Sequence, residues 1–260
     1  MMFLRGLLII CIYLQVECKN LNVHPRIVNG EVVDPQDYPF FVRVYVKFGG
    51  KYFACGGTLV NPLVVITAAH CIKSNDIYLV NWKGEKQPAQ RVIAHPEYHA
   101  RTDPATGEKD ARFSKNDIAL IIISEPWKTE TAVVLNEDKD VPSGMPVISI
   151  GYGITELGQD TDQLKMTETK TMSYNDCKSI EVYLDEGFFC THNGYSGTCS
   201  GDSGGPLFMN KGDNIALVGI TSFGHFDHST NTCLVEEFPT AFTNVAYYFR
   251  WIKDTLKAAQ

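Results

Sequence analysis

Residues 39–48, PFFVRVYVKF, alternate apolar and polar side chains with the two-residue period of a β-strand. Folded as a strand, the stretch has an apolar face formed by Val42, Val44, Val46 and Phe48. Its opposite, polar face is formed by Arg43, Tyr45 and Lys47. Further β-rich runs follow, separated by Gly, Pro, Asn and Asp, at residues 63–69, 117–123, 146–153, 215–223 and 240–245. Many short strands with turn signals between them predict an all-β sandwich or barrel.

The C-terminal segment 245–260, VAYYFRWIKDTLKAAQ, departs from the strand pattern. Val245, Tyr248, Ile252 and Leu256 recur at helical spacing, with charged residues around them. We therefore expect a terminal amphipathic helix whose apolar side covers part of the β core.

The composition limits the classes of function. A chain of 260 residues with 44% hydrophobic residues can bury the core of one large domain or of two small ones. The net charge is −7, and no long run of one sign occurs. This balance argues against a basic surface for nucleic acid or for anionic lipid, so we expect neither as a partner.

The N-terminus has the features of a secretory signal peptide. Residues 1–18, MMFLRGLLIICIYLQVEC, combine an early arginine, an apolar run over 7–14 and small residues close to Cys18. The alternative, a transmembrane anchor, requires a longer apolar run. No later stretch is long and apolar enough to cross a bilayer, so the sequence predicts a secreted, extracellular protein.

Export determines how the cysteines are interpreted. Cys11 and Cys18 fall in the leader, and six remain: Cys55, Cys71, Cys177, Cys190, Cys199 and Cys233. An even number in an oxidising compartment indicates disulfides, although six cysteines allow 15 pairings and spacing alone does not choose among them. A zinc site is the alternative, but the sequence contains neither a CxxC pair nor a His/Cys cluster. We expect disulfides and no metal.

Three short motifs contain residues that catalysis requires: VITAAHC (65–71), NDIAL (116–120) and GDSGGP (201–206). Taken singly, they also suit a core histidine, the start of a buried strand and a tight turn. Taken together, they supply a general base, a carboxylate that orients it and a serine framed by glycines. These are the three parts of an activated nucleophile, which a serine needs because its hydroxyl is a poor nucleophile at neutral pH.

The glycines beside Ser203 suit a second catalytic requirement. Gly201 and Gly204 allow the backbone to turn sharply around Ser203. The N–H groups of Gly201 and Ser203 can then converge on a developing oxyanion, where each donor is worth about 10²–10³ in rate. The sequence therefore predicts an oxyanion hole built by this loop.

The three motifs, in the order His, Asp, Ser and with similar separations, resemble those of the trypsin/chymotrypsin family of serine proteases. The resemblance covers the chain from Arg26 to the C-terminal helix. It implies two six-stranded antiparallel β-barrels with the active site between them. In that site His70 is the base, Asp117 orients it and Ser203 is the nucleophile.

The resemblance also implies a domain division and a set of disulfides. Residues 1–18 would be the signal peptide, 19–26 an activation peptide and 27–260 the protease domain. Within that domain, the resemblance places an N-terminal barrel at about 27–135, a C-terminal barrel at about 136–244 and the helix at 245–260. The implied disulfides are Cys55–Cys71, Cys177–Cys190 and Cys199–Cys233.

The segment RIVNG (26–30) resembles the activation site of this family. Cleavage after Arg26 would free the α-amino group of Ile27, which would insert and pair with Asp202, the residue before the nucleophile. The uncut chain should then be nearly inert. The resemblance thus implies an Arg-specific activating protease as a partner.

The same resemblance locates the pocket that receives the residue before the scissile bond. Gly197 would lie at its base with Thr198 beside it, and the segment TSFG (221–224) would form one wall. Within that segment, Ser222 and Gly224 would bind substrate backbone, and Phe223 replaces the tryptophan that is usual in the family. Thr240 would make the base shallower, since a glycine is common there.

Nothing in this lining supplies a fixed negative charge, so we expect an apolar specificity, chymotrypsin-like or elastase-like. Sequence does not choose among Leu, Phe and Ala, because one methylene of misfit costs only about 1–3 kcal/mol. Glu236 and Glu237 lie close in sequence, and a basic specificity is the alternative if one of them reaches the base.

Together, the signal peptide, the activation site and the three motifs predict a secreted, zymogen-activated endopeptidase. We expect it to act on protein or peptide substrates as a monomer, without a cofactor or a metal ion. Residues 81–90 lack the carboxylates that calcium needs. His225 and His228 are better explained as solvated loop residues than as metal ligands. Protein inhibitors are a further class of partner.

The alternative function is a non-catalytic protease homologue that binds a partner through its loops. A purely structural disulfide-linked domain leaves the three motifs unexplained.

Overall fold

The computed structural model describes residues 27–100, 114–128, 133–155, 157, 162–181 and 184–258. The predicted signal peptide, the activation peptide with Arg26 and residues 259–260 of the predicted helix lie outside these residues. The described part contains sixteen strands and two α-helices: β1 (Glu31–Val32), β2 (Phe41–Phe48), β3 (Lys51–Asn61), β4 (Val64–Thr67), β5 (Ile77–Val80), β6 (Lys86–Ala94), β7 (Ala119–Ile123), β8 (Val133–Leu135), β9 (Pro146–Gly151), β10 (Lys165–Thr171), α1 (Tyr174–Ile180), β11 (Phe188–His192), β12 (Pro206–Lys211), β13 (Asn214–Phe223), β14 (Phe226–Asp227), β15 (Thr232–Cys233), β16 (Thr240–Asn244) and α2 (Phe249–Ala258).

Twelve of these strands form two closed six-stranded antiparallel barrels. The first barrel runs in the order β2-β3-β4-β7-β6-β5, and β5 pairs with β2 to close it. The second runs β10-β11-β16-β13-β12-β9, and pairing of β9 with β10 closes that ring. The predicted all-β fold of two six-stranded barrels with a C-terminal helix is confirmed.

The segment predicted as the N-terminal barrel crosses to the second barrel at both of its ends. The short strand β1 pairs with β10, and β8 runs parallel to β13. Both strands thereby satisfy backbone hydrogen-bonding groups on the second barrel. The strands of the first barrel itself lie between Phe41 and Ile123.

The alternation in 39–48 is confirmed, with one correction. Val42, Val44 and Val46 are at most 1% exposed and fill the first barrel. Phe48, which the period assigns to the same face, is 53% exposed. It is the last residue of β2, at the Gly49–Gly50 turn into β3, where the strand has passed the end of the barrel interior.

The two barrels share one apolar core, and this contact positions the site between them. Phe40 before the first barrel meets Phe208 of the second, with ring centroids 5.3 Å apart in an edge-to-face arrangement. Ile66 and Ile118 on the first side and Ile252 of α2 are fully buried in the same cluster. The loops that carry the three motifs therefore meet across a packed interface.

The C-terminal helix α2 begins four residues later than the pattern predicts. Asn244 Oδ1 accepts hydrogen bonds from the N–H groups of Ala246 and Tyr247, which hold a turn before the helix. Val245, Tyr248 and Ile252 are buried as expected. Neither helix that the structure describes has both the length and the hydropathy needed to cross a membrane.

Three disulfides join the six cysteines that follow the leader. They are Cys55–Cys71, Cys177–Cys190 and Cys199–Cys233, the pairings that the family resemblance implies. The first joins β3 to the turn that carries His70, and the third joins the loop before Ser203 to β15. Both therefore brace the loops around the candidate site.

Candidate active site

The three motif residues come from three separate loops at the junction of the barrels. His70 lies in a short 3₁₀ turn, Ala69–Cys71, directly after β4. Asp117 stands two residues before β7, and Ser203 lies in the turn that leads into β12. Strand ends and turns are suited to this role because a rigid sheet positions their side chains.

A short backbone contact fixes the serine loop against the first barrel. The N–H of Gly56 donates a 2.7 Å hydrogen bond to the carbonyl oxygen of Ser203. A Cβ on Gly56 would lie 2.7 Å from the Cα of Gly205, so only glycine permits this approach. Strand β3 therefore helps to set the position of the nucleophile.

Asp117 holds His70 in one orientation. The Asp117 carboxylate accepts a 2.8 Å hydrogen bond from His70 Nδ1 at Oδ2 and a second, also 2.8 Å, from the His70 backbone N–H at Oδ1. Asp117 is fully buried, whereas 18% of the His70 side chain is exposed. A proton on Nδ1 leaves Nε2 as the basic nitrogen, which is the tautomer that a general base needs.

Two further hydroxyl groups support the buried carboxylate. Ser222 Oγ donates a 2.5 Å hydrogen bond to Asp117 Oδ2, and Thr243 Oγ1 donates a 2.8 Å bond to the Asp117 backbone carbonyl. The sequence analysis assigned Ser222 only to substrate backbone and did not identify Thr243. For Ser222, its place in the TSFG segment was a signal; nothing in the sequence pointed to Thr243.

These contacts determine the charge state of Asp117. Burial alone raises the pKa of its carboxyl, but attraction to His70 and the hydrogen bonds from His70 and Ser222 outweigh burial. The pKa of Asp117 is therefore lowered, and the group is a carboxylate at neutral pH.

Ser203 and His70 line the same two cavities, which share Ser200 as well and otherwise have different lining residues. In the described residues, no hydrogen bond joins Ser203 Oγ to the His70 ring, and the Cys71 sulfur lies 3.8 Å from His70 Nε2. Such catalytic bonds are often long or misaligned without substrate and tighten when it binds. His70 and Ser203 therefore lie on the same cleft, where His70 Nε2 and the Ser203 hydroxyl can act together.

The glycines around Ser203 adopt the backbone conformations expected of them. Gly201 has φ +98° and Gly204 has φ +77°, a region that side chains strongly disfavour. The N–H groups of Gly201 and Ser203 have no acceptor in the part of the chain that the structure describes. Both donors are therefore available to a ligand.

Asp202, between these donors, is buried, and none of the described residues pairs a cation with it. Its Oδ1 accepts a 2.7 Å hydrogen bond from the Gly153 N–H, and its Oδ2 accepts a 2.9 Å bond from the Cys199 N–H. Burial raises the pKa of Asp202 to about 6 despite these two bonds. Ile27 is fully buried, and Val28 forms a β-bridge with Gly197, so the start of the predicted protease domain already lies against this region.

The Asp202 carboxyl is expected to make the stability of the uncut chain depend on pH. Its folded-state pKa of about 6 exceeds the ordinary value of 3.8, so the folded chain binds this proton more tightly than the unfolded chain. The resulting stabilisation is complete below about pH 4 and is lost as pH rises through about 6, by about 3 kcal/mol in total. Urea denaturation of the uncut chain and of its Asp202→Asn variant, across this range, isolates the contribution as a difference. An equal pH dependence in both proteins would contradict the prediction.

The smaller of the two cavities, of about 300 Å³, contains most of the predicted pocket residues. Thr198, Ser222, Phe223 and Gly224 line it. Gly197 and Thr240 are not among the described residues that line it, but both are buried and they lie close together: a Cβ on Gly197 would stand 3.4 Å from Thr240 Oγ1.

Sequence analysis did not identify two residues that line this cavity or one residue that packs against its predicted base. Val235 packs on Gly197, with its Cγ1 at 2.9 Å from an added Cβ there, and Phe226 and His228 line the cavity. Of these three residues, the sequence analysis named only His228, as a solvated loop residue. Glu236 and Glu237 are exposed, so neither provides a carboxylate inside the pocket.

His225 has a specific partner, which sequence analysis did not foresee. Its Nε2 lies 2.6 Å from Glu181 Oε1, and its ring stacks on Phe238 with centroids 4.0 Å apart. Because Glu181 follows α1 directly, this pair connects that helix to the segment after Gly224. The described residues contain one cluster of possible metal ligands, formed by Cys55, His70 and Cys71. The sulfurs of its two cysteines are joined in a disulfide.

The sequence model of the trypsin family matches residues 27–252. This chain belongs to the trypsin family. Among its relatives, human kallikrein-2 is 31% identical over 268 aligned residues, which cover 96% of this chain and 98% of kallikrein-2. The CLIP domain-containing serine protease B4 of Anopheles gambiae is 27% identical, over 89% of this chain and 70% of its own length. Membership of the trypsin family supports a serine peptidase as the class of activity of this site.

Proposed function

We propose that this chain is a serine endopeptidase that is secreted as an inactive precursor and activated by cleavage after Arg26. One observation carries the proposal: a fully buried Asp117 carboxylate lies 2.8 Å from His70 Nδ1, on a cleft that Ser203 also lines. Membership of the trypsin family supports the same class of reaction.

The proposed reaction has two halves. In the first, Ser203 Oγ attacks the substrate carbonyl carbon while its proton passes to His70 Nε2, and Asp117 stabilises the imidazolium that forms. The carbonyl oxygen becomes an oxyanion that accepts hydrogen bonds from the N–H groups of Gly201 and Ser203. The tetrahedral intermediate then collapses, the C–N bond breaks, and the leaving amine takes the proton from His70.

The second half returns the enzyme to its starting state. Water attacks the acyl ester on Ser203, and His70 accepts the proton of that water. Collapse of the second intermediate breaks the ester bond, releases a carboxylic acid and gives the proton back to Ser203. Because His70 acts alternately as base and acid, the reaction needs no cofactor.

Activation would supply a cationic partner for Asp202. Cleavage after Arg26 creates an ammonium group on Ile27, which is buried close to the loop that contains Gly197. Pairing of that ammonium with Asp202 would order the segment from Gly201 to Ser203. The cleavage requires an Arg-specific protease, because the neutral pocket would not accept Arg26 of another copy of this chain.

The substrate residue before the scissile bond is proposed to be apolar. The described residues that line the smaller cavity include Thr198, Phe223 and Gly224, and none of them carries a carboxylate. Val235 and Thr240 pack around Gly197, which the family resemblance places at the base of the pocket, and this packing favours a side chain of limited length. Protein inhibitors that present such a side chain would occupy the same cleft.

A cleavage-site profile tests this function. The purified precursor is treated with trypsin, the trypsin is blocked with a selective inhibitor, and a peptide library is digested and analysed by mass spectrometry. We expect cleavage after Phe, Tyr, Leu or smaller apolar residues, and none with the Ser203→Ala variant treated identically. Cleavage after Arg or Lys would contradict the neutral pocket. No cleavage, with a correct Ile27 N-terminus and no fluorophosphonate labelling of Ser203, would favour the non-catalytic homologue.

A further inference from the structure

The larger cavity in the cleft, of about 550 Å³, has a lining that differs from that of the proposed specificity pocket except at His70, Ser200 and Ser203. Both cavities include His70 and Ser203 in their linings. If the residue before the scissile bond occupies the smaller cavity, the chain that follows the bond enters the larger one. The lining of the larger cavity therefore selects the leaving segment of the substrate, an inference that rests on the proposed function.

This leaving-segment cavity contains more positive than negative side chains, in a protein whose net charge is −7. Arg43 and Lys73 line it, and Asp162 is the acid among its lining residues. Neither cation forms an ion pair with a carboxylate in the part of the chain described. Two cations without carboxylate partners, beside the scissile bond, attract a negatively charged substrate group.

Aromatic rings hold both cations in place. The Arg43 guanidinium lies 4.4 Å from the ring centroid of Tyr152 and 5.2 Å from that of Tyr45. Lys73 Nζ lies 4.1 Å from the ring centroid of Phe53. Stacking on a ring face leaves the in-plane N–H groups of a guanidinium free, and these match the two oxygens of a carboxylate.

Two aromatic rings in the lining of this cavity, Tyr45 and Tyr52, pack on Tyr78. Tyr45 stacks on Tyr78 with centroids 4.8 Å apart, and Tyr52 meets the edge of Tyr78 at 5.7 Å. Tyr52 remains 56% exposed and Phe53 39% exposed, so part of each ring is open to a ligand. The cavity thus combines fixed cations with accessible apolar surface.

We propose that this cavity binds a carboxylate in the first few residues after the scissile bond, with Arg43 as its main partner and Lys73 as a weaker one. Arg43 is half-buried and can bind a carboxylate with two hydrogen bonds, whereas Lys73 is exposed and screened by water. The enzyme would therefore prefer substrates with an acidic leaving segment.

Matched peptides test this preference. They share one acyl side and carry Asp or Asn at the first, second or third position after the scissile bond, with an amidated C-terminus. A neutral peptide with a free C-terminus distinguishes a terminal carboxylate from a side-chain carboxylate. We expect kcat/KM to be about tenfold higher for Asp than for Asn at one or two positions, as one charge-assisted pair provides.

Variants assign the preference to named residues. Arg43→Gln should bring the Asp/Asn ratio close to one, Arg43→Glu should invert it, and Lys73→Gln should lower it about twofold to threefold. Arg250→Gln is the matched control, because it removes an exposed guanidinium from α2, which lines neither cavity. Melting temperatures confirm that each variant is folded.

The outcomes separate this inference from the proposed function. If Asp and Asn peptides are cut equally well, or if the acid preference survives Arg43→Glu, the inference is wrong although the enzyme is active. If nothing is cut, fluorescence anisotropy of the same peptides with the Ser203→Ala variant still measures binding, and equal Kd values would overturn the inference. Binding of a sulfated polysaccharide that depends on Arg43, without any preference among the peptides, would also overturn it.

Discussion

Replacing Asp117 with asparagine is expected to lower kcat about 10⁴-fold, the size of the effect that this substitution has in a serine protease of the same family. In the wild type, both carboxylate oxygens of Asp117 accept hydrogen bonds, from the His70 ring, the His70 backbone and Ser222. An amide has one oxygen and one NH₂ group, so one of these donors must face another donor. If the NH₂ faces His70, the imidazole adopts the tautomer that is protonated at Nε2, which cannot accept the proton of Ser203.

Steady-state kinetics on the activated enzyme measure this loss. Ser222→Ala is the matched control, because it removes one hydrogen bond from the carboxylate but leaves the charge. It should cost about tenfold or less, in line with about 1 kcal/mol for one hydrogen bond. Thermal unfolding shows whether either variant is misfolded. An Asp117→Asn enzyme that retains activity within tenfold of the wild type would contradict the proposed role of Asp117.

Replacing Asp202 with asparagine is expected to lower kcat/KM of the activated enzyme by about 10²–10⁴-fold. The reason is that the Ile27 ammonium loses its anionic partner, and breaking a buried ion pair costs about 3–5 kcal/mol. Asp202 lies between Gly201 and Ser203, so the loss falls on the oxyanion donors and not on His70 and Asp117. An Arg26→Gln chain should likewise remain inactive after trypsin treatment. Its peptide bond before Ile27 is not cleaved, so the α-amino group is not freed.

The measurement requires proof of cleavage, so N-terminal sequencing must show Ile27 in both the wild type and the Asp202→Asn variant. Asp213→Asn, at an exposed hairpin, is the matched control and should leave kcat/KM unchanged. In the wild type, pairing with Asp202 is expected to raise the pKa of the Ile27 amine above its unfolded value of about 8. The ordered form is therefore stabilised below that value and is lost as pH rises through the raised pKa. Full activity far into alkali, with Ser203 intact, would argue against the ion pair.

Local periodicity predicted the strands whose side chains alternate or are uniformly apolar, but it missed others. Strand β6, Lys86–Ala94, contains Pro88 and mixes half-exposed apolar with polar residues, so its period is weak. Strand β10, Lys165–Thr171, is polar apart from Met166, yet Lys165 is fully buried and donates a 3.0 Å hydrogen bond to the Gly30 carbonyl. Such strands form because barrel closure pairs their backbones, whatever the polarity of their side chains.

The sequence by itself determined an all-β fold and the three motifs, because each motif is local and its residue types are demanded by chemistry. The two-barrel arrangement followed only from the resemblance of those motifs to the trypsin/chymotrypsin family. Tertiary structure alone decided which distant residues support and surround them. Ser222 reaches Asp117 from 105 positions away, Val235 closes on Gly197, and Arg43 meets Tyr152 from the other barrel. Contacts of this kind depend on how two closed barrels pack against each other, and no local pattern in the chain encodes that packing.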